Sequence, residues 1–126
     1  MKKIIESSQA PAPIGPYSQA VLANGVLYVS GQIPIDQSTG ELISGSIEAE
    51  TEQVMKNLDF ILREAGSNFK NVVKCSIFIK DMGDFAKINA VYGTRFDENP
   101  PARETVQVSE LPKGVNVEIS CIALVD

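Results

Sequence analysis

The chain of 126 residues has no histidine and no tryptophan, two cysteines, and eleven basic residues against sixteen acidic ones. Each shortage removes a class of function. Without histidine there is no Ser-His or Cys-His relay and no imidazole for zinc, so triad and zinc hydrolysis lose an essential part. With a net charge of −5 and no basic block to displace counterions from a phosphate backbone, nucleic acid is not an expected partner. Cys75 and Cys121 lie in alternating apolar runs with no CxxC spacing, which reads as reduced core thiols rather than a disulfide or metal pair. No apolar run approaches the roughly 20 residues of a membrane span. The apolar stretch after Met1-Lys2-Lys3 ends at once in Glu6-Ser7-Ser8, so no export signal is expected. The expectation is a cytosolic protein without metal or cofactor, whose chemistry must use carboxylate, guanidinium, hydroxyl, backbone amide or water.

What is present suits one ordinary domain spanning residues 1–126, 44% hydrophobic and 21% charged. A chain of this length buries roughly two thirds of its unfolded surface, enough for a core without staples. Residues 20–33 form two β-prone runs joined by Asn24-Gly25, a pair that tolerates the positive φ angles of a type I′ hairpin. Residues 34–46 show neither period and read as a surface connection. Val54, Leu58, Ile61, Leu62 and Ala65 recur at helical spacing, with Ser46 as N-cap, Glu48, Glu50 and Glu52 favouring the dipole, and Gly66 beyond the end. Val73, Cys75, Ile77 and Ile79 alternate with Lys74, Ser76, Phe78 and Lys80, which predicts a strand over 72–80. Asp84 is placed to cap a second helix with a stripe of Phe85, Ile88, Tyr92 and Phe96, stopped by Asn99-Pro100-Pro101. Residues 103–108 and 115–125 alternate again. The pattern predicts an α+β two-layer domain whose helices cover one sheet face. The other face, with its apolar positions, calls for burial by further copies of the chain.

Three arginines occur, and only Arg103 lies outside a predicted last helical turn. Pro100-Pro101-Ala102 stiffens the backbone before it and presents a planar guanidinium at the mouth of a strand, a device suited to bidentate capture of a carboxylate. From spacing alone, a surface arginine opening a strand is the better reading. Glu118 interrupts the most apolar strand, between Val117 and Ile119. Alternation places it on a solvated face; enclosed at an interface, it would gain a raised pKa and general acid/base character. Gly15-Pro16-Tyr17-Ser18 has turn composition, Ser30-Gly31 marks either a bulge or a close approach to the backbone, and Asn89 is a polar break in a buried helix pattern.

Taken together, Gly15-Pro16-Tyr17-Ser18-Gln19-Ala20, Tyr28-Val29-Ser30-Gly31-Gln32-Ile33, Asn89-Ala90-Val91-Tyr92, Pro100-Pro101-Ala102-Arg103 and Val117-Glu118-Ile119 closely resemble the RidA (YjgF-type) reactive intermediate deaminases over the whole chain. The resemblance implies a chorismate-mutase-like subunit with a mixed six-stranded sheet and two helices on one face. It further implies a homotrimer with sites between subunits, and release of ammonia from 2-imino or enamine acids such as 2-aminoacrylate and 2-aminocrotonate, a 2-iminobutanoate/2-iminopropanoate deaminase activity. Arg103 would hold the substrate carboxylate and Glu118 would orient or activate water. Tyr17, Ser30, Gly31, Asn89, Pro101 and the backbone at Thr105 would line the pocket. Family members often carry Ser-Cys after the motif arginine where this chain has Glu104-Thr105, so a thiol role there does not transfer. The alternatives are a regulatory binding protein of the same fold and an RNA-acting or chaperone-like protein, the former separated from an enzyme by turnover.

Overall fold

The computed structural model describes residues 1–126. In chain order the strands and helices are β1 (Lys3–Ile5), β2 (Ala20–Ala23), β3 (Val26–Gln32), β4 (Ile35–Asp36), β5 (Glu41–Leu42), α1 (Ile47–Glu64), β6 (Val72–Ile79), α2 (Phe85–Gly93), β7 (Ala102–Gln107) and β8 (Val117–Leu124). Asn24 and Gly25 have φ of 50° and 74°, so β2 and β3 are joined by the turn that an Asn-Gly pair favours. Three residues are too few to display a period, which is why β1 escapes a reading of the sequence. Residues 34–46 are not wholly irregular: β4 and β5 form a two-stranded ribbon, its tip closed by Asp36, whose side chain accepts from the Ser38 amide at 3.0 Å.

Ser46 caps α1 as its residue type predicts, accepting from the Ala49 amide at 3.1 Å. The residue expected to cap α2 does not: Asp84 makes no side-chain cap bond. Asp81 instead accepts from Gly83 N–H at 2.8 Å and caps the short 3₁₀ turn Met82–Asp84 that leads into the helix. As the last residue of that turn Asp84 has helical backbone angles, φ −87° and ψ −2°, where a capping residue needs an extended backbone. At the far end α2 tightens after Gly93, with the amides of Arg95 and Phe96 bonding three residues back, so Phe96 packs from beyond the helix.

The sheet order is β1-β2-β3-β8-β6-β7, antiparallel throughout except for the parallel edge pair β6 and β7. It is the mixed six-stranded sheet with two helices expected of a chorismate-mutase-like α+β fold. Helix α1 packs over β8 and β3, and α2 lies alongside α1. The buried apolar residues form a single cluster in which Leu58, Ile61 and Leu62 of α1 meet Leu27, Ile77 and Ile119 of the sheet. Each such side chain is worth about 1.5–3 kcal/mol of transfer free energy, which fixes the sheet register against α1. The Glu50 side chain, buried at the start of α1, accepts from the Asn116 amide at 3.2 Å and from its side-chain nitrogen at 2.8 Å, tying the approach to β8 to the helix. No helix is long and apolar enough to cross a membrane.

The register sorts side chains onto two faces. Ile5, Ala20, Val29, Cys121, Cys75 and Arg103 form one cross-strand row, and all but the last are buried under the helices. On the opposite face the neighbouring row reads Ile4, Val21, Tyr28, Ile122, Lys74 and Ala102. No element covers it; Tyr28 is 49% and Leu124 48% exposed. For central sheet positions that is a large apolar surface left in water.

Candidate functional site

Glu118 stands on the open face, in register with Phe78 and Val106. Opposite it, β3 carries a bulge between Val29 and Gln32 that sets both Ser30 and Gly31 against one residue of β8. The bulge brings the Gly31 backbone under the Glu118 side chain: a β-carbon on residue 31 would lie 2.8 Å from Glu118 Cδ and 3.0 Å from Cγ. Ser30 is both the bulge and an anchor. Its amide donates to Gln19 O at 2.9 Å and its hydroxyl to Ser18 O at 2.6 Å, fastening the segment that bears Tyr17 beside β3. The buried Gln19 side chain ties in the preceding loop, accepting from Ser7 N–H at 2.7 Å and donating to Pro11 O at 2.9 Å.

These residues enclose a cavity of about 500 Å³ lined by Tyr17, Ser30, Gly31 and Glu118 together with Pro11, Ile14, Ile33, Ile35 and Pro112. The apolar wall desolvates the carboxylate, and no hydrogen bond or cation of the same chain offsets it. Burial therefore holds the Glu118 pKa above the usual carboxylate value.

Arg103 occupies the other face. It closes the buried row at the edge strand β7 and reaches the underside of α2. Its Nη1 donates to Asn89 Oδ1 at 2.6 Å, and the guanidinium carbon lies 5.6 Å from the Phe85 ring centroid and 5.1 Å from that of Tyr92. Asn89 is thus a holder of Arg103 rather than a solvent-facing break in the helix. Pro101 directly precedes β7. Val108 N–H donates to Ile79 O at 2.9 Å, so by strand alternation the amides of Val106 and Glu104 also face β6, and those of Thr105 and Arg103 point out along the free edge. The Thr105 hydroxyl is buried and has no partner in the chain. Glu104 faces the opposite side of the sheet, where it takes Ser76 and, at 3.0 Å, Lys74 Nζ.

The site residues named from the sequence therefore fall into two groups. Tyr17, Ser30, Gly31 and Glu118 share the cavity of the open face. Arg103, Asn89, Thr105 and Pro101 gather at the β7 edge. The two groups lie on opposite faces of the sheet. The aromatic pair under Arg103 was assigned from periodicity to the core; the spacing of Phe85, Asn89 and Tyr92 at i, i+4 and i+7, one stripe of a helix, is the signal that links them to one partner. Arg95, which follows α2, forms a two-point pair with Glu52 of α1 at 2.8 and 2.6 Å. No three acidic or thiol side chains converge as a metal-ligating group.

The family model described as Endoribonuclease L-PSP matches residues 7–125. A RutC family protein of Synechocystis is 52% identical over 97% of this chain and 95% of its own length. The 2-iminobutanoate/2-iminopropanoate deaminase of Rattus norvegicus is 48% identical over 98% of this chain and 90% of its own. The crystal structure of E. coli TdcF with bound serine superposes with a TM-score of 0.94 at 39% identity, covering 98% of this chain and 99% of that one. With the family model matching almost the whole chain, and relatives and solved structures alike in sequence and fold over nearly its full length, this chain belongs to the Endoribonuclease L-PSP family, the RidA/YjgF proteins.

Proposed function

We propose that this protein hydrolyses short 2-imino acids and their enamine tautomers, such as 2-aminoacrylate and 2-aminocrotonate, to 2-keto acids and ammonium in the cytoplasm. The observation that carries this reading is the division of the candidate residues between the two faces. A desolvated carboxylate waits over one face of the sheet, while a guanidinium free of any carboxylate partner waits at the edge of the other. Closing a homotrimer over the uncovered apolar face would set the β7 edge of one copy against the Glu118 cavity of the next, completing each cleft from two chains. The rat deaminase and the serine-bound TdcF structure support an amino-acid-derived carboxylate as the ligand class.

In such a cleft Arg103 would grip the substrate carboxylate with two parallel donors, and the outward Thr105 amide would add a third. An enamine first takes a proton on its carbon to become the iminium ion, which is already electrophilic. Glu118, ionised, would orient a water molecule and take one of its protons as the oxygen bonds to the imine carbon. The carbinolamine then collapses: Glu118 returns the proton to the nitrogen, the carbon–nitrogen bond breaks as the carbinol oxygen becomes the carbonyl, the hydroxyl proton passes to the departing ammonia, and 2-keto acid and ammonium leave. Water adds, the iminium nitrogen departs as ammonium, and charge balances. The protein supplies mainly positioning, for which a held carboxylate and a placed water suffice.

The test is ammonia release from imine generated in situ by a threonine or serine dehydratase, against buffer and against Arg103→Ala. Acceleration by the native chain alone supports the reading. A rate equal to buffer, with a 2-keto acid still bound, makes the protein a ligand sensor instead.

A further inference from the structure

The three arginines are held in two ways. Arg63 pairs with Asp59 at 2.8 Å and Arg95 with Glu52. Arg103 alone is held by neutral groups: the Asn89 amide oxygen on Nη1 and the rings of Phe85 and Tyr92. A carboxylate partner would fix a guanidinium more firmly, but it would also neutralise the charge and occupy the donors that an incoming anion needs. Aromatic faces attract the cation through their quadrupoles and leave its in-plane donors untouched. Nη2 and Nε of Arg103 accordingly carry no bond within the chain.

The holder is itself braced. Phe85, Asn89 and Tyr92 stand at i, i+4 and i+7 of α2, so one rigid stripe carries all three contacts. Behind Tyr92 lies Phe96, ring centroids 4.8 Å apart, and behind Phe96 stands Phe69, edge-on at 5.6 Å. The Tyr92 hydroxyl is buried beside the Cys75 thiol and makes no hydrogen bond of ordinary geometry. Its ring, not its hydroxyl, is what the arrangement uses.

We propose that Phe85 and Tyr92 are positioning residues that hold the Arg103 guanidinium in a fixed plane while leaving its charge unpaired, and so set the affinity of the site for carboxylate. This rests on the reading of Arg103 as the carboxylate holder. Phe85→Leu and Tyr92→Leu remove a ring but keep apolar bulk; Tyr92→Phe keeps the ring. Each ring variant should raise KM for dehydratase-generated imine, and the calorimetric Kd for 2-ketobutyrate as an unreactive probe, by about tenfold with kcat held within about twofold. Tyr92→Phe should bind and turn over as the native chain does. The Arg103 Nε–H resonance should be narrow and ring-shifted in the native protein and should broaden in the leucine variants. Phe85 is only half-buried, so Phe85→Leu carries the test should Tyr92→Leu fail to fold. Unchanged KM and Kd in folded, assembled Phe85→Leu would overturn the proposal. Absent turnover by the native chain with 2-ketobutyrate binding that still weakens in Phe85→Leu would overturn the deaminase reading alone.

Discussion

Residue 31 is glycine because the Glu118 side chain occupies the space a β-carbon there would need. The β3 bulge and the carboxylate above it are one device: the backbone drops its side chain so that an acid can lie flat against it, enclosed by the apolar cavity wall. Gly31→Ala should therefore displace the carboxylate. The atoms in the way are the end of a flexible side chain, so the cost in stability should stay at the low end of overpacking, about 1 kcal/mol, while kcat falls as the carboxylate moves. Chemical denaturation of Gly31→Ala, Glu118→Ala and the double variant checks this. The glycine substitution should cost far less once Glu118 is gone; additive losses would sever the link between the two residues.

Desolvation raises the Glu118 pKa above its unfolded value. A carboxyl shifted upward is favoured as the neutral acid in the folded state, so its contribution to stability is present below the unfolded pKa and is lost as pH rises through the folded one. Glu118→Gln, a permanent neutral mimic, should melt higher than the native chain at pH 7, and the gap should close near pH 4. Its kcat should drop while ligand affinity persists. In the native protein kcat should decline on acidification at a pH above the ordinary carboxylate range. Calorimetry and a pH–rate profile measure both, and an unaltered kcat in Glu118→Gln would remove this residue from the chemistry.

Arg103→Lys should be almost as damaging as Arg103→Ala although it keeps the charge. An ammonium cannot offer two parallel donors, and as a compact point charge it does not reproduce a guanidinium lying over the Phe85 and Tyr92 rings. One charge-assisted bond is worth about 1.5–3 kcal/mol, so kcat/KM should fall on the order of tenfold to a hundredfold. Near-native activity in Arg103→Lys would reduce the residue to a point charge.

The open sheet face predicts assembly. Tyr28→Glu or Leu124→Glu places a charge on the uncovered face without touching the helix-side core. Sedimentation should move from trimer to monomer, circular dichroism should persist, and turnover should vanish because no cleft is completed. An active monomer would sink the shared site.

The sequence by itself determined most of the fold, because its signals are local. Asn24-Gly25 imposed the hairpin turn, Ser46 the start of α1, and alternation over 75–79 and 117–124 the central strands, although a register shift at Val72–Lys74 buries Val72 and exposes Val73, which the period had set beside Cys75. Those choices depend on backbone sterics and a period that each segment carries within itself. The motif residues were legible as well, but only in combination, since Arg103, Glu118 and Gly31 each have an ordinary reading alone. Strand order and register were decided by tertiary structure, because pairing partners such as Cys75 and Arg103 are set by how α1 and α2 bury the sheet. Only that register put Arg103 on one face and Glu118 on the other, and turned Asn89 and Tyr92 toward a guanidinium. A residue's period fixes which way it faces relative to its neighbours; what it then meets depends on distant segments brought together by burial.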